Sequence, residues 1–486
     1  MAFAKPARAG SKLARMMGAL RHRGGDGFAV ALGEETFVFD GPEEVEALEL
    51  ASKTALGYNF FKGPGPPQPV RAGGLAYAVE GRMYAGKSAL KLGELAGPAA
   101  GGPGKLKEFL SGVDGAYALC VADGETLLAA RDPLGLKPLY YWLGGGSCAL
   151  ASERKALWRV GAGEVKRFPP GFIAIFKGGM ASFKAFKRLT PPAGFEPTPR
   201  AEAARSVAEL ISASVEREAA GLRRAAVGFS GGLDSGLIAH LLKLSGVEVK
   251  LFAVGVEGKS NLGPIEEAAA ELGLPLEERL FSTGEVEEAA RRIPWLIEES
   301  NPMMVEVAIP IFWVLRMALE AGFSEAFLGQ GADELFGGYE RFVKVLKRDG
   351  EEACAKAIFQ SVSRAHEINY ERDEKVAAYN RVDLRLPYAD WSLAEYAVKL
   401  PVGLKVSLSG GARVKKAVLR DAAKLLGLPE SIAERRKRAV QYETGVHKAM
   451  LEISKRKGLS LREYVERSFK LAAESAGGGP PNVGYG

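Results

Sequence analysis

The chain is poor in cysteine, in long apolar runs and in any excess of charge of one sign, and each shortage removes a class of protein. The three cysteines, Cys120, Cys148 and Cys354, lie far apart in sequence, which argues against a disulfide framework or a cysteine-based zinc site. No apolar run approaches the length of a membrane span, and the basic amino terminus has no apolar segment behind it; the expectation is a cytoplasmic protein with no membrane partner. The formal net charge of +6 is spread along the 486 residues, with lysine and arginine mostly alternating with glutamate, so no nucleic-acid partner is expected. Internal repeats are absent as well. What is present, 47% hydrophobic and 26% charged residues, suits two or three domains with real cores.

Residues 1 to about 190 predict a β-rich domain. Short strands at Gly27–Leu32, Gly74–Val79, Ala116–Val121 and Thr126–Arg131 are broken by Gly, Pro and Asp. The Pro-dense segment Thr190–Pro199 cannot continue a helix or a central strand and marks a linker at residues 191–200. From Arg200 helices alternate with apolar strands: helix to about Ala220, strand Ala225–Phe229, helix to Leu244, strand Val247–Val256, helix Pro264–Leu272, strand Ala326–Leu328. That alternation predicts an α/β domain over residues 201–473, a doubly wound parallel sheet with ligands at the strand carboxyl ends. Its carboxyl-terminal part reads as helical, with acidic and basic residues on the outer faces. Residues 474–486, with Gly477–Pro481, carry too little apolar content to order themselves.

The stretch Ala225–Ser235 organises the chemistry. An apolar strand runs into a turn in which Gly231 and Gly232 allow a close backbone approach, and a helix opens behind it with its amides pointing at whatever the loop holds. Ser230 and Ser235 add hydroxyls, and Asp234 places a carboxylate where a magnesium ion on phosphates needs one. The loop lacks the Walker lysine, which excludes the kinase and GTPase form of phosphate loop. A second strand ends in Gly329–Tyr339, where glycines bracket Asp333 and Glu334. Read alone, this segment is equally a flexible loop with a solvated acidic pair. Read with the first, it brings Asp333 beside Asp234 as a two-carboxylate magnesium site.

The Ser230–Ser235 loop resembles the S-G-G-x-D-S loop of ATP pyrophosphatases, and the whole chain resembles the asparagine synthetase (glutamine-hydrolysing) family. The synthetase matches are Ser230–Ser235, the strand Phe252–Gly255, Gly331–Tyr339 and Arg385–Asp390 (R-x-P-F-x-D). Lys416–Arg420 (K-x-x-L-R) and Leu428–Lys437 (L-P-x-x-I-x-x-R-x-K) follow. In the amino-terminal half His22–Gly27, Leu110–Ala118, Ala130–Tyr141 and Ala151–Leu157 look like the motifs of the family's glutaminase domain. The resemblance implies an α+β amino-terminal αββα sandwich of the Ntn-hydrolase type, followed by the ATP pyrophosphatase domain. It implies ATP and Mg2+ as cofactors. Nucleotide binding would fall to Ser230, Gly231, Gly232, Leu233, Asp234, Ser235, Val254, Gly255, Gly329, Gly331 and Asp333, and metal binding to Asp234 and Asp333. Lys437 would stabilise charge during adenylation, and Gln330 would be the second catalytic position.

The departures are specific. Ala2 follows Met1 where the family carries a nucleophilic cysteine; the first strand of the family is expected to be absent, so a misassigned start would also explain this. Glu80 replaces the oxyanion asparagine of N-G-E-x-Y, Arg82 its substrate-binding glutamate, and Phe60 the arginine that holds the glutamine carboxylate. These changes predict an inactive glutaminase-like domain, with ammonia drawn from solution or from a separate glutaminase. Gln330 replaces a glutamate of G-E-G-x-D-E and cannot take a proton. The expected reaction is amide formation on aspartate through an acyl-adenylate, releasing AMP and pyrophosphate. A ligase on another carboxylate, as in β-lactam synthetases, and a non-catalytic ATP-binding scaffold stay open, as does a homodimer.

Overall fold

Runs too apolar for a half-exposed strand set the architecture of the first unit. Gly27–Leu32 is buried at every position, and so is Leu127–Arg131. The computed structural model describes the chain apart from residues 50, 64–66, 193, 196, 410–411, 436–438 and 477–486. It divides into Met1–Arg188, with the carboxyl-terminal residues from Ala473, and Leu189–Ala472.

The first unit holds two seven-stranded sheets. In spatial order one is Lys166–Arg167, Tyr140–Gly144, Ser147–Ala151, Ala2–Arg8, Ala51–Phe60, Gly27–Leu32 and Glu35–Phe39. The other runs Met180–Ala185, Phe172–Lys177, Leu127–Arg131, Val113–Ala122, Leu75–Ala85 and Val70–Ala72, with Ser88–Ala89 paired onto Leu75–Ala85. Three separate apolar clusters define four layers. Leu13, Met16, Met17 and Leu157 pack from helices onto Phe28 and Val30 of the first sheet. Ala31, Ala76, Ala78, Ala118, Ala129 and Ala174 line the space between the sheets together with Phe168 and Phe176. Leu95, Leu106 and Leu110 pack from helices onto Tyr117, Leu119 and Val121 of the second sheet. This is the αββα sandwich, and it corrects one expectation: a first strand, Ala2–Arg8, is present where the sequence predicts its absence. Ala2–Arg8 carries a lysine and a proline, and its register against Ala51–Phe60 shifts between Ala2 and Ala7, so no alternating pattern survives.

The second unit is built on a five-stranded sheet of β1 (Arg224–Gly228), β2 (Glu248–Val256), β3 (Leu276–Phe281), β4 (Glu325–Phe327) and β5 (Asp383–Arg385). All pairs are parallel, in the order β3-β2-β1-β4-β5. The order reverses between β1 and its neighbours, which opens a crevice at the carboxyl end of β1. The strands predicted around Ala225, Val247 and Ala326 are present within a residue or two, while β3 and β5 are not predicted. Three residues are too few for a pattern in β5, and β3 is an exposed polar edge, Leu-Glu-Glu-Arg-Leu-Phe. Helix Pro302–Glu320 corrects the expectation that no run approaches a membrane span: it is long and apolar enough, but 67% of its most apolar window is buried inside the fold. Helix Leu461–Ser475 likewise runs past the predicted boundary at 473, and the predicted tail from residue 477 on lies outside the described residues.

A second correction concerns charge. Glu371, Arg372, Asp373, Glu374 and Lys375, expected on an outer face, are between 0% and 6% exposed. Successive residues of a helix project about 100° apart, so five in a row must sweep the inner face as well. Lys375 is neutralised by Glu298 at 2.7 Å.

One buried amine yields a stability prediction. Lys405 ends helix Val402–Lys405, is 2% exposed, and adjoins the apolar cluster of Phe342, Cys354, Ile358, Val402 and Val406. Burial pulls its pKa down to about 7, opposed by Cys354. The folded value is depressed below the unfolded one of about 10.4, so stability is lost as pH falls from about 10 to about 7 and gained in the opposite direction. Denaturant titration of wild type between pH 7 and pH 9 should show a gain of about 1 kcal/mol per pH unit relative to Lys405→Met. A difference between the two proteins that stays constant over that range would remove the buried charge as its cause.

Candidate active site

At the end of β1 the backbone continues to Phe229, whose N–H donates to Phe252 O at 2.8 Å, and then turns. Gly231 adopts φ +67°, open to glycine without strain, and lets helix Leu233–Leu244 start at once. The loop closes on itself: the Ser230 N–H meets Ser235 Oγ at 3.1 Å, and the two hydroxyls lie 3.1 Å apart. Asp234 and Ser235 are 2% and 3% exposed in the first helical turn, where the helix end favours a negative ligand.

The second loop presses against this turn. A Cβ on Gly329 would stand 2.9 Å from Asp234 Cβ, so only a glycine allows the approach. Gly331 caps helix Ala332–Phe336, which carries Asp333 and Glu334. The two aspartates do meet, and the group between them is Lys416. Its Nζ lies 2.7 and 2.8 Å from the two oxygens of Asp234 and 2.6 Å from Asp333 Oδ1. A side chain at Gly338 would run into Asp333 Oδ1 and the Lys416 stem. Burial disfavours the ammonium, yet Asp234 and Asp333 hold it above its ordinary pKa. Lys416 sits at φ +56°, a conformation that costs an L-residue energy and that gathers at functional sites. Tyr388 of the Arg385–Asp390 motif donates to the Asp234 carbonyl at 3.3 Å.

Around this centre Glu334 Oε1 accepts from Asn369 Nδ2 at 2.6 Å and from the Tyr339 hydroxyl. Burial, with Asp333 beside it, raises the Glu334 pKa. Arg435 reaches over the first loop and donates from Nη1 to the carbonyls of Gly231 (3.2 Å) and Pro264. Val254 and Gly255 lie at the carboxyl end of β2, next to β1, with the Ser260 hydroxyl lying over Gly255. Gln330 is close enough to the buried carboxylate of Asp373 to lower its proton affinity. Lys437 falls outside the described residues.

The carboxylates of Asp234 and Asp333 are hard oxygen donors of the kind a magnesium ion takes, and Lys416 bridges them in this structure. No group of three or more His, Cys, Asp or Glu that could hold a metal ion exists among the described residues. The residues missed in sequence are Lys416, Arg435 and Asp373. Both basic residues stand inside quoted motifs without a role, and a lysine directly ahead of the buried helix run Ala417–Leu419 is the signal that points to Lys416.

The first unit has its own polar cluster. Glu153, fully buried, accepts from His22 Nε2 at 2.8 Å and Arg23 Nε at 2.5 Å, and forms an ion pair with Lys155 Nζ at 2.7 Å. Burial opposes its charge, but His22, Lys155 and Arg23 hold the carboxyl well below the usual range, while burial keeps His22 below its ordinary value. Glu80 pairs with Arg23 Nη1 and accepts from Ser152 Oγ at 2.7 Å. The Phe60 ring packs on Gly27.

Comparison with known proteins agrees with both halves. Residues 206–369 and 347–473 match the asparagine synthase family model, and residues 99–159 match a glutamine amidotransferase domain model. A protein of Methanocaldococcus jannaschii named putative asparagine synthetase (glutamine-hydrolysing) 1 is 30% identical, over 93% of this chain and 94% of its own length. Asparagine synthetases (glutamine-hydrolysing) 3 and 2 of Arabidopsis thaliana are 29% and 28% identical over 70% of this chain, which spans 60% of each of them. With a family model over more than half its length and a relative aligned almost end to end, the chain belongs to the asparagine synthase family of ATP-dependent, C–N bond-forming ligases.

Proposed function

We propose that the chain converts the side-chain carboxylate of aspartate to an acyl-adenylate with ATP and transfers the acyl group to ammonia, giving asparagine, AMP and pyrophosphate. In the first step a carboxylate oxygen bonds the α-phosphorus and pyrophosphate leaves; in the second the nitrogen lone pair bonds the acyl carbon, AMP leaves with the C–O pair, and a proton passes to solvent. The observation that carries this reading is Lys416 between Asp234 and Asp333 at the foot of the Ser230–Ser235 loop. Magnesium held by Asp234 and Asp333 would neutralise the leaving pyrophosphate. The backbone amides of Ser230–Gly232 orient the same group, Lys416 supplies a buried positive charge, and Arg435 adds another at the rim. Lys437, by its motif, would stabilise charge in adenylation.

Nitrogen comes, in this reading, from free ammonia or a separate glutaminase. Glu80, where the family places an oxyanion donor, is engaged by Arg23 and Ser152, and a carboxylate repels a developing oxyanion. Phe60 offers no group to a glutamine carboxylate. Pyrophosphate release with ATP, magnesium and a panel of carboxylic acids tests the first part. Release with aspartate and ammonium chloride is expected; release with another acid alone moves the acceptor, and silence with tight ATP binding leaves a nucleotide-binding protein. Glutamate production from glutamine should stay far below ammonia-dependent ligation, and comparable rates would restore the glutaminase.

A further inference from the structure

Lys416 reaches Asp234 and Asp333 from a left-handed backbone conformation, φ +56° and ψ +35°, between strand Ala412–Lys415 and helix Ala417–Leu425. The direction its side chain takes is set by the peptide groups on either side of its Cα, and one residue holds both. The Arg420 N–H donates to the Lys416 carbonyl at 2.9 Å, the ordinary bond of a first helical turn. The Lys415 carbonyl lies ahead of the helix and accepts from Arg420 Nε at 3.1 Å. Arg420 Nη1 donates in turn to the carbonyl of Ala433 and stands 3.6 Å from Glu434 Oε2. Ala433 is fully buried at the end of helix Glu430–Ala433. That helix presses on the one that carries Asp234, since a Cβ on Gly236 would stand 2.7 Å from Ile432 Cγ2. Two residues past Ala433, Arg435 donates to the Gly231 carbonyl at 3.2 Å.

We propose that Arg420 is the positioning residue that keeps Lys416 in its left-handed conformation and registers its ammonium against the helix bearing Asp234. A guanidinium suits this task because its nitrogens point in fixed directions, so carbonyls from two segments are tied at a set separation. The ion pair with Glu434 contributes little, since 48% of that side chain is exposed. Without Arg420 the Lys415 peptide is free to turn, Lys416 relaxes towards the right-handed region that L-residues prefer, and its amine leaves the two carboxylates. The kinetic half of the inference rests on the ligase reading above: an ammonium that strays no longer stabilises the departing pyrophosphate, while ATP still binds.

Melting in chelator and in magnesium, both without nucleotide, reads whether the amine still lies between the carboxylates. Arg420→Met should show at least about half of the magnesium-dependent rise in melting temperature expected of Lys416→Met, with wild type nearly unchanged. A residue that only supported the fold would lower the melting temperature equally with and without the metal. Carboxylate-dependent ATP–pyrophosphate exchange supplies the second readout. Arg420→Met should lower its kcat about tenfold or more with the ATP KM within about threefold of wild type, and in a Lys416→Met background the same substitution should cost no more than about threefold. A melting temperature as indifferent to magnesium as that of wild type, or the full loss repeated in the Lys416→Met background, overturns the proposal. Arg420→Lys covers the case in which Arg420→Met does not fold. One ammonium cannot replace the fork that ties both carbonyls, so exchange should fall about threefold or more and a magnesium-dependent rise should appear; behaviour identical to wild type overturns the proposal. Absence of exchange in the wild-type chain with every acid overturns the ligase reading instead, and the magnesium measurement on Arg420→Met still decides the role of Arg420.

Discussion

Asp234→Ala is expected to lower carboxylate-dependent pyrophosphate release by about a hundredfold or more, the loss typical of removing a metal or oxyanion contact. Asp234 is 2% exposed and both its oxygens are bound by Lys416, so the side chain cannot be replaced by water or by a neighbour. Asp333 is more open, with 34% of its side chain exposed, and shares one oxygen with Lys416. Asp333→Ala should therefore show a comparable loss of turnover with less damage to the fold. A release rate within a few-fold of wild type in either variant would take that residue out of the site. Nucleotide binding, followed by equilibrium dialysis with labelled ATP, should fall less than turnover if the carboxylates act mainly on the leaving pyrophosphate.

Lys416→Met is expected to damage both stability and chemistry. Without the ammonium, two carboxylates face each other in a buried turn, and breaking a buried pair by removing one partner costs roughly 3–5 kcal/mol. The remaining charge can be countered from outside. Magnesium without nucleotide should raise the melting temperature of Lys416→Met and leave that of the wild-type chain nearly unchanged, because in wild type the site already holds its counter-charge. Pyrophosphate release in the variant should stay at least about a hundredfold down with magnesium present, since the fixed positive charge is then missing during departure of pyrophosphate. A variant as stable as wild type in chelator would contradict the pairing described for Asp234, Asp333 and Lys416.

The two loops are legible because their chemistry is local. Ser230–Ser235 and Gly329–Asp333 each follow an apolar strand, and a strand, a turn and a helix are read along one stretch of chain. Lys416 is not legible as the group joining them, since it lies 182 residues from Asp234, and only its place directly ahead of the buried run Ala417–Leu419 sets it apart from Lys415. Glu371–Lys375 misleads for the opposite reason. A run of charges normally marks a solvated face, and only its length, longer than one face of a helix can carry, shows that part of it must turn inward. Among strands, those buried on both sides announce themselves, whereas Leu276–Phe281 is polar and exposed and Asp383–Arg385 is three residues long.

Those two unreadable strands are the edges of the nucleotide sheet, and their composition bears on how the chain behaves when crowded. A parallel sheet with an apolar border would offer its free N–H and C=O groups to any passing strand, and self-association would follow. Here one border is too short to template a partner. The other carries Glu277, Glu278 and Arg279 in succession, with Glu277 held at 2.7 Å from Lys250 of the neighbouring strand. A strand approaching that border would have to strip water from three charges before making its first backbone hydrogen bond, so the residues that spoil the pattern also keep the sheet from growing into a fibre.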